Sequence, residues 1–216
     1  MSAARPDAIA VLGAGGHAKV VIATLQAAGF TVAAVFDDDR SKQGSRLLGV
    51  EVRGPLDDFA GSGYRRAVLA IGDNATRMRL AARLQAQLPT VEWVIAVHPQ
   101  TCLHLSVRLG DGAVVFAGAV IQPDTVIGAH AIINTGATVD HDCRIGDFAH
   151  IAPGCHLAGE VQVARGAFLG IGASVIPGRM IGEWATIGAG AVVTGDIPAG
   201  ATAVGVPAKV LDKEGR

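Results

Sequence analysis

The side chains best suited to chemistry lie in "ATVDHDCRIGDFAH", residues 137–150, where His141 is flanked by Asp140 and Asp142 and His150 follows nine positions later. A carboxylate bonded to one ring nitrogen fixes the tautomer of an imidazole and raises its basicity, leaving the other nitrogen to take a proton. Asp140 or Asp142 has the reach to do this, and spacing leaves both open. A second constellation is "VLGAGGHAKV" (11–20), which carries G-x-G-x-x-A and precedes the acidic run Asp37, Asp38 and Asp39. Such a loop brings backbone N–H groups at a helix N-terminus up to a phosphate, while the acid takes ribose hydroxyls. His17 stands in this loop where a small residue is usual; it either reaches the ligand or caps its own helix. The cysteines Cys102, Cys143 and Cys155 lack metal-type spacing with the histidines and are read as small buried residues, so no metal is expected.

The element that must position the two histidines is a repeat of six. From Val97 to Val193 every sixth residue is Leu, Ile or Val, and four places after most of them stands Ala, Cys or Thr. That period fits neither a helix nor an isolated strand and predicts a parallel β-helix, a prism of short strands whose interior takes one large and one small residue per face. Glycine often follows the aliphatic residue directly, as at Gly110, Gly128 and Gly146, and Gly and Asn are available for corners of unusual backbone angle. Three hexapeptides close one coil, so residues 97–195 make about five and a half coils. "DIPAGATAVGVPAKVL" (196–211) leaves the period and is expected to cap the open end. Val139 and Cys143 then point inward, whereas His141 and His150 point outward, towards ligand or a neighbouring subunit.

The first half reads differently. "AIAVL" (8–12) and "TVAAVF" (31–36) are strands joined by a helix that Gly29 ends; "RRAVLAIGDN" (65–74) supplies another strand and turn, and 74–88 is helical. This is a Rossmann-like βαβ half-domain. A full dinucleotide site uses two such halves, and there is room for one, which favours a nucleotide sugar over a nicotinamide cofactor. The expected fold is therefore α/β plus β-solenoid, with a nucleotide-sugar-binding domain over 1–96 and a hexapeptide domain with its cap over 97–216. A net charge of −1 without a basic cluster argues against nucleic acid and against a polybasic membrane patch. Neither a membrane-length apolar run nor a signal peptide is seen, so a cytoplasmic location is expected. The surplus acids at 37, 38, 39 and 73 lean towards guanine, whose N1–H and N2 amino group offer two donors where uracil offers one.

The motifs "VLGAGGHAKV", "VFDDD", "AIGDN", "NTGATVDHDCRIGDFAHIAPG" and "GVPAKVL" together resemble the bacterial nucleotide-sugar acetyltransferases. These include sialic acid O-acetyltransferase-like proteins and, more closely, N-acetyltransferases of nucleotide-linked 4-amino-4,6-dideoxysugars. The resemblance covers nearly the whole chain and implies a left-handed β-helix, acetyl-CoA as co-substrate, and a homotrimer with active sites at subunit interfaces. It further implies that His141 is the catalytic base and Asp142 its acid, although the family commonly has the longer Glu there. His150 would lie near the acetyl thioester, with Ile171, Ala189 and Lys209 along CoA. Gly15, Gly16, His17, Asp37, Asp38 and Gly72 would contact the nucleotide sugar; the position of Gly15 is often Ser in the family. An O-acetyltransferase and a non-catalytic nucleotide-sugar-binding scaffold are the competing readings.

Overall fold

The computed structural model describes residues 7–211, which fall into two compact units, one ending at Pro99 and the other beginning at Gln100. In the first unit, strand β1 (Ile9–Leu12) is buried along its whole length and leads into helix α1 (Gly16–Ala27). Gly29, at φ 81°, stops the helix, and Phe30 N–H returns to Leu25 O at 2.9 Å, satisfying a carbonyl the helix leaves open. There follow β2 (Val32–Phe36), β3 (Arg46–Leu47), β4 (Val50–Gly54), α2 (Asp58–Gly61), β5 (Arg66–Leu69), α3 (Asn74–Gln87) and β6 (Glu92–Trp93).

The sheet order is β3-β4-β2-β1-β5-β6. Only β3 and β4 pair antiparallel among these strands. Sequence reading missed that hairpin. Its signal was Leu48–Gly49, both in the left-handed region at φ 47° and 83°, as a tight turn between twisted strands requires. From β1 the chain moves to one side for β2, then returns to the other side for β5. The β1/β5 junction is therefore the switch point, where open α/β sheets leave a crevice beyond the strand ends.

The second unit is a left-handed β-helix. Its two-residue strands stack in parallel with an offset of one coil, as in Val114↔Ile132, Ile132↔His150 and His150↔Phe168. From Val115 to Val193 the residues at the period of six, among them Val139, Ile145 and Ile151, are buried along the axis together with small partners such as Ala137 and Cys143, while Val97, Leu103 and Leu109 are only half-buried. Beyond the last full coil, Thr202–Val204 still extends the Thr186–Ile187 ladder, and Lys209–Val210 folds back on it antiparallel.

The corners add one detail to the repeat. Glycines directly after the aliphatic residue do not carry the unusual angle; they make room for the next coil, since a Cβ at Gly146 would stand 2.6 Å from Arg165 N. Left-handed φ falls two places later. Gly112, Gly118 and Gly136 occupy that position, but so do Asp124, His130, Asp142, Phe148, Glu160 and Trp184 at φ 53–62°. Asp accepts such angles more readily than most residues, which places a carboxylate beside His141 at tolerable backbone cost.

Candidate active site

His141 stands on a corner with about half its side chain exposed (52%). Its two acidic neighbours divide the work. Asp142 Oδ2 accepts from the ring at Nδ1, 2.8 Å away, whereas Asp140 Oδ1 accepts the backbone N–H of His141 at 2.8 Å. The bond to Asp142 comes first among the effects that raise the His141 pKa above the ordinary histidine value; the negative charges of Asp140, Asp142 and Glu160 add to it. With Nδ1–H given to Asp142, Nε2 carries the lone pair that accepts a proton. One coil on, Gly159 lies flat against the ring: a Cβ there would stand 2.6 Å from Cε1 and Nε2. Sequence reading did not single out Gly159, because the residue it serves is a whole coil away.

His150 differs from the exposed group expected. It occupies the outward position of its strand, yet only 8% of its surface is exposed. The adjacent coils cover it. Phe168 lies edge-on at 5.3 Å, and the amide of Asn134 meets Nε2 at 3.0 Å. Ile171 (63% exposed) and Ala189 share another corner, whose left-handed positions are Gly118, Gly136, Gly154, Gly172 and Gly190. A Cβ at any of the last four would meet nothing within 4 Å, so this edge offers bare backbone to an approaching molecule. Lys209 is exposed in the terminal hairpin. Cys143 points inward, gives its thiol to Ala158 O at 3.2 Å and is pushed up to about 11 by burial, which removes it as a nucleophile at neutral pH.

In the first unit, Gly15 and Gly16 are exposed at the start of α1, and a Cβ on either meets nothing within 4 Å. The helix N-terminus thus faces open space with its N–H groups, the arrangement that suits a phosphate. Gly13 (φ 112°) brings this loop against the turn after β5, where an added Cβ would stand 3.0 Å from Ala70 O. His17 is half-buried, and burial, followed by the charge of Arg77, lowers it to about 4, so the imidazole is neutral at physiological pH.

The acids after β2 have structural duties. Asp37 Oδ2 accepts Ala14 N–H at 2.5 Å and Oδ1 accepts Asp39 N–H at 2.9 Å, which ties the glycine loop to the end of β2. Asp38 Oδ1 accepts Leu56 N–H at 2.9 Å, and its other oxygen lies 3.7 Å from Arg83. Asp73 caps α3 through Thr76 N–H at 2.8 Å. Gly72 leaves space for a Cβ and gives its carbonyl to Arg77 at 3.1 Å. Arg77 escaped sequence reading because in "NATRMRL" it looks like one of two surface arginines on a polar helix face.

Among the described residues no cluster of His, Cys, Asp and Glu is arranged to hold a metal ion, and no helix is long and apolar enough to cross a membrane.

The PglD N-terminal domain family matches residues 8–84, and the bacterial transferase hexapeptide family (six repeats) matches 106–141 and 125–159. Perosamine N-acetyltransferase (PerB) from Caulobacter crescentus, solved with CoA and GDP-perosamine, is 46% identical with a TM-score of 0.89, over 95% of this chain and 97% of that one. The acetyltransferase domain of PglB from Neisseria gonorrhoeae, solved with acetyl coenzyme A, is 36% identical with a TM-score of 0.87, over 96% and 100% of the two chains. An uncharacterized protein of Acanthamoeba polyphaga mimivirus shares 30% identity over 120 residues; that stretch is 56% of this chain and 23% of the viral protein. With the glycine-loop unit, the hexapeptide prism and near-complete coverage of these enzymes, the chain belongs to the nucleotide-sugar acetyltransferase family and is an acyltransferase that uses acetyl-CoA.

Proposed function

We propose that the protein transfers the acetyl group of acetyl-CoA to the 4-amino group of a nucleotide-linked 4-amino-4,6-dideoxysugar, and that this sugar is GDP-perosamine. The observation that carries the choice of sugar is the 46% identity to an enzyme crystallised with CoA and GDP-perosamine. The acids at 37, 38 and 39 suit the two donors of guanine, although Asp37 and Asp38 also hold the loop.

In the reaction, the amine nitrogen adds to the thioester carbonyl as Nε2 of His141 takes its proton, and the C–S bond then breaks to release CoA and the amide. Asp142 holds the ring in the required tautomer and stabilises the imidazolium as it forms. No acyl-enzyme is needed. His150, covered by Asn134 and Phe168 with 8% of its surface left exposed, is the group assigned to the thioester; Ile171, Ala189 and Lys209 are assigned to the CoA arm. Gly15, Gly16, His17, Asp37, Asp38 and Gly72 are assigned to the nucleotide sugar. Exposed Ile171, Ile176 and Met180 on the prism support a homotrimer that covers them. In this reading the enzyme works in the cytoplasm, upstream of O-antigen assembly in lipopolysaccharide.

Thiol release from acetyl-CoA, measured with matched GDP-, UDP- and dTDP-linked 4-amino sugars, is the test. GDP-perosamine should have the highest kcat/KM. A UDP or dTDP sugar used more than about tenfold better, roughly 1.4 kcal/mol in transition-state binding, would overturn the choice of nucleotide. Turnover only of hydroxyl acceptors would instead favour O-acetylation.

A further inference from the structure

Arg77 is the largest fully buried side chain among the described residues, with 1% of its surface exposed, and the reaction as derived makes no use of it. Its guanidinium reaches back from the first turn of α3 to the turn that precedes the helix. Nη1 donates to Ile71 O at 2.9 Å and to Gly72 O at 3.1 Å, and Nη2 donates to Asn74 Oδ1 at 2.9 Å. This placement is doubly unfavourable. Burial penalises a charged group, here enough to bring the arginine down to about 10, and the first turn of a helix is the end that repels cations. A neutral Gln could donate to these carbonyls without either cost. Asp73 offsets part of the charge from its cap position, but its carboxylate is already given to Thr76 N–H.

The direction of the field is informative. Arg77 acts on His17 in the first turn of α1, and the glycine loop and the Ile71–Gly72 turn touch at Gly13 and Ala70. Both turns follow neighbouring strands, β1 and β5, at the switch point of the sheet. A buried positive charge and two helix N-termini therefore converge on one crevice.

We propose that Arg77 is a positioning residue for the diphosphate of the nucleotide sugar: it pins the Ile71–Gly72 turn and supplies the buried positive charge that draws the dianion to the glycine loop. The inference rests on the reading of this unit as the nucleotide-sugar site.

The experiment uses the full chain with Arg77→Met and Arg77→Lys, GDP as the binding probe, and a thermal melt to check folding. Arg77→Met should weaken GDP binding and raise KM for the nucleotide sugar roughly tenfold to a hundredfold, and Arg77→Lys, which keeps the charge but loses the fork, about threefold to tenfold. KM for acetyl-CoA and kcat at saturation should not move. His17, followed by NMR, should titrate higher in Arg77→Met, and in the wild type it should titrate higher once GDP is bound. Folded variants with unchanged GDP affinity, or an equal rise in both KM values, would overturn the role of Arg77. If Arg77→Met does not fold, Arg77→Lys and the wild-type titration decide, and a wild-type His17 indifferent to bound GDP counts against the proposal. Failure of the wild type to bind GDP, UDP or dTDP would instead sink the nucleotide-site reading itself.

Discussion

Glycine does opposite work at the β1/β5 crevice of the first unit and beside His141 in the second. Around the β1/β5 crevice, Gly15, Gly16 and Gly72 leave space that nothing in the protein fills, so a Cβ there would collide only with something bound. At Gly159 and Gly166 in the prism, by contrast, the space left by glycine is taken by a side chain of the adjacent coil. The His141 ring lies on Gly159, and the Trp184 ring lies on Gly166, where a Cβ would stand 2.5 Å from Cε3. The first pattern keeps room for a ligand. The second sets the orientation of a residue, and at Gly159 that residue is the candidate base. A stacked repeat can do this because the neighbour one coil away is always at the same height and distance.

Four substitutions would break or sharpen the contrast. The largest effect should come from His141→Ala, which is expected to lower kcat by roughly 10²- to 10⁴-fold while leaving the melting temperature unchanged, because the ring is outside the core. Steady-state rates beside a thermal melt would check it; a variant keeping half the wild-type kcat would remove His141 as the base.

Gly159→Ala comes next. The added methyl must push the imidazole off its bond with Asp142, so kcat should fall about 10- to 100-fold with little change in either KM. If the loss appears in KM alone, the glycine serves bound substrate and the contrast with Gly15 collapses.

Asp142→Asn tests the same geometry through pH. The carboxylate favours imidazolium and holds the His141 pKa up, so the neutral base is lost as pH falls through that raised value. Removing the charge should shift the acid limb of kcat/KM to lower pH, alongside a reduced plateau. An unmoved limb would mean that another group titrates there.

The smallest effect is expected of Gly15→Ala. A Cβ there meets no protein atom, so stability and kcat should hold while KM for the nucleotide sugar rises about twofold to fivefold. A fall in melting temperature would show that the loop is internally packed after all.

Much of this was legible in the residues themselves. The prism follows from a period of six because its rule is local: each hexapeptide fills its own share of the axis, and the error at any one position is averaged over the run. The glycine loop followed by an acidic strand end is likewise a short-range pattern, and the outward position of His141 falls directly out of the period. What stayed hidden depended on backbone angles and on neighbours a coil or a helical turn away. Asp140 and Asp142 flank the histidine symmetrically in sequence; the left-handed φ of 59° at Asp142 accompanies the bond from its carboxylate to the ring, while Asp140 is given to the backbone. His150 obeys the strand alternation yet is covered, because Phe168 and Asn134 are its neighbours only once the coils stack. Arg77 has the spacing of a surface residue, and only the return of the chain past the Ile71–Gly72 turn makes it the one charge sealed inside the described part of that unit. Periodicity fixes which way a side chain points, but its partners are set by the closing of the coils and of the sheet, since hydrogen bonds form or fail over a few tenths of an ångström that no spacing rule resolves.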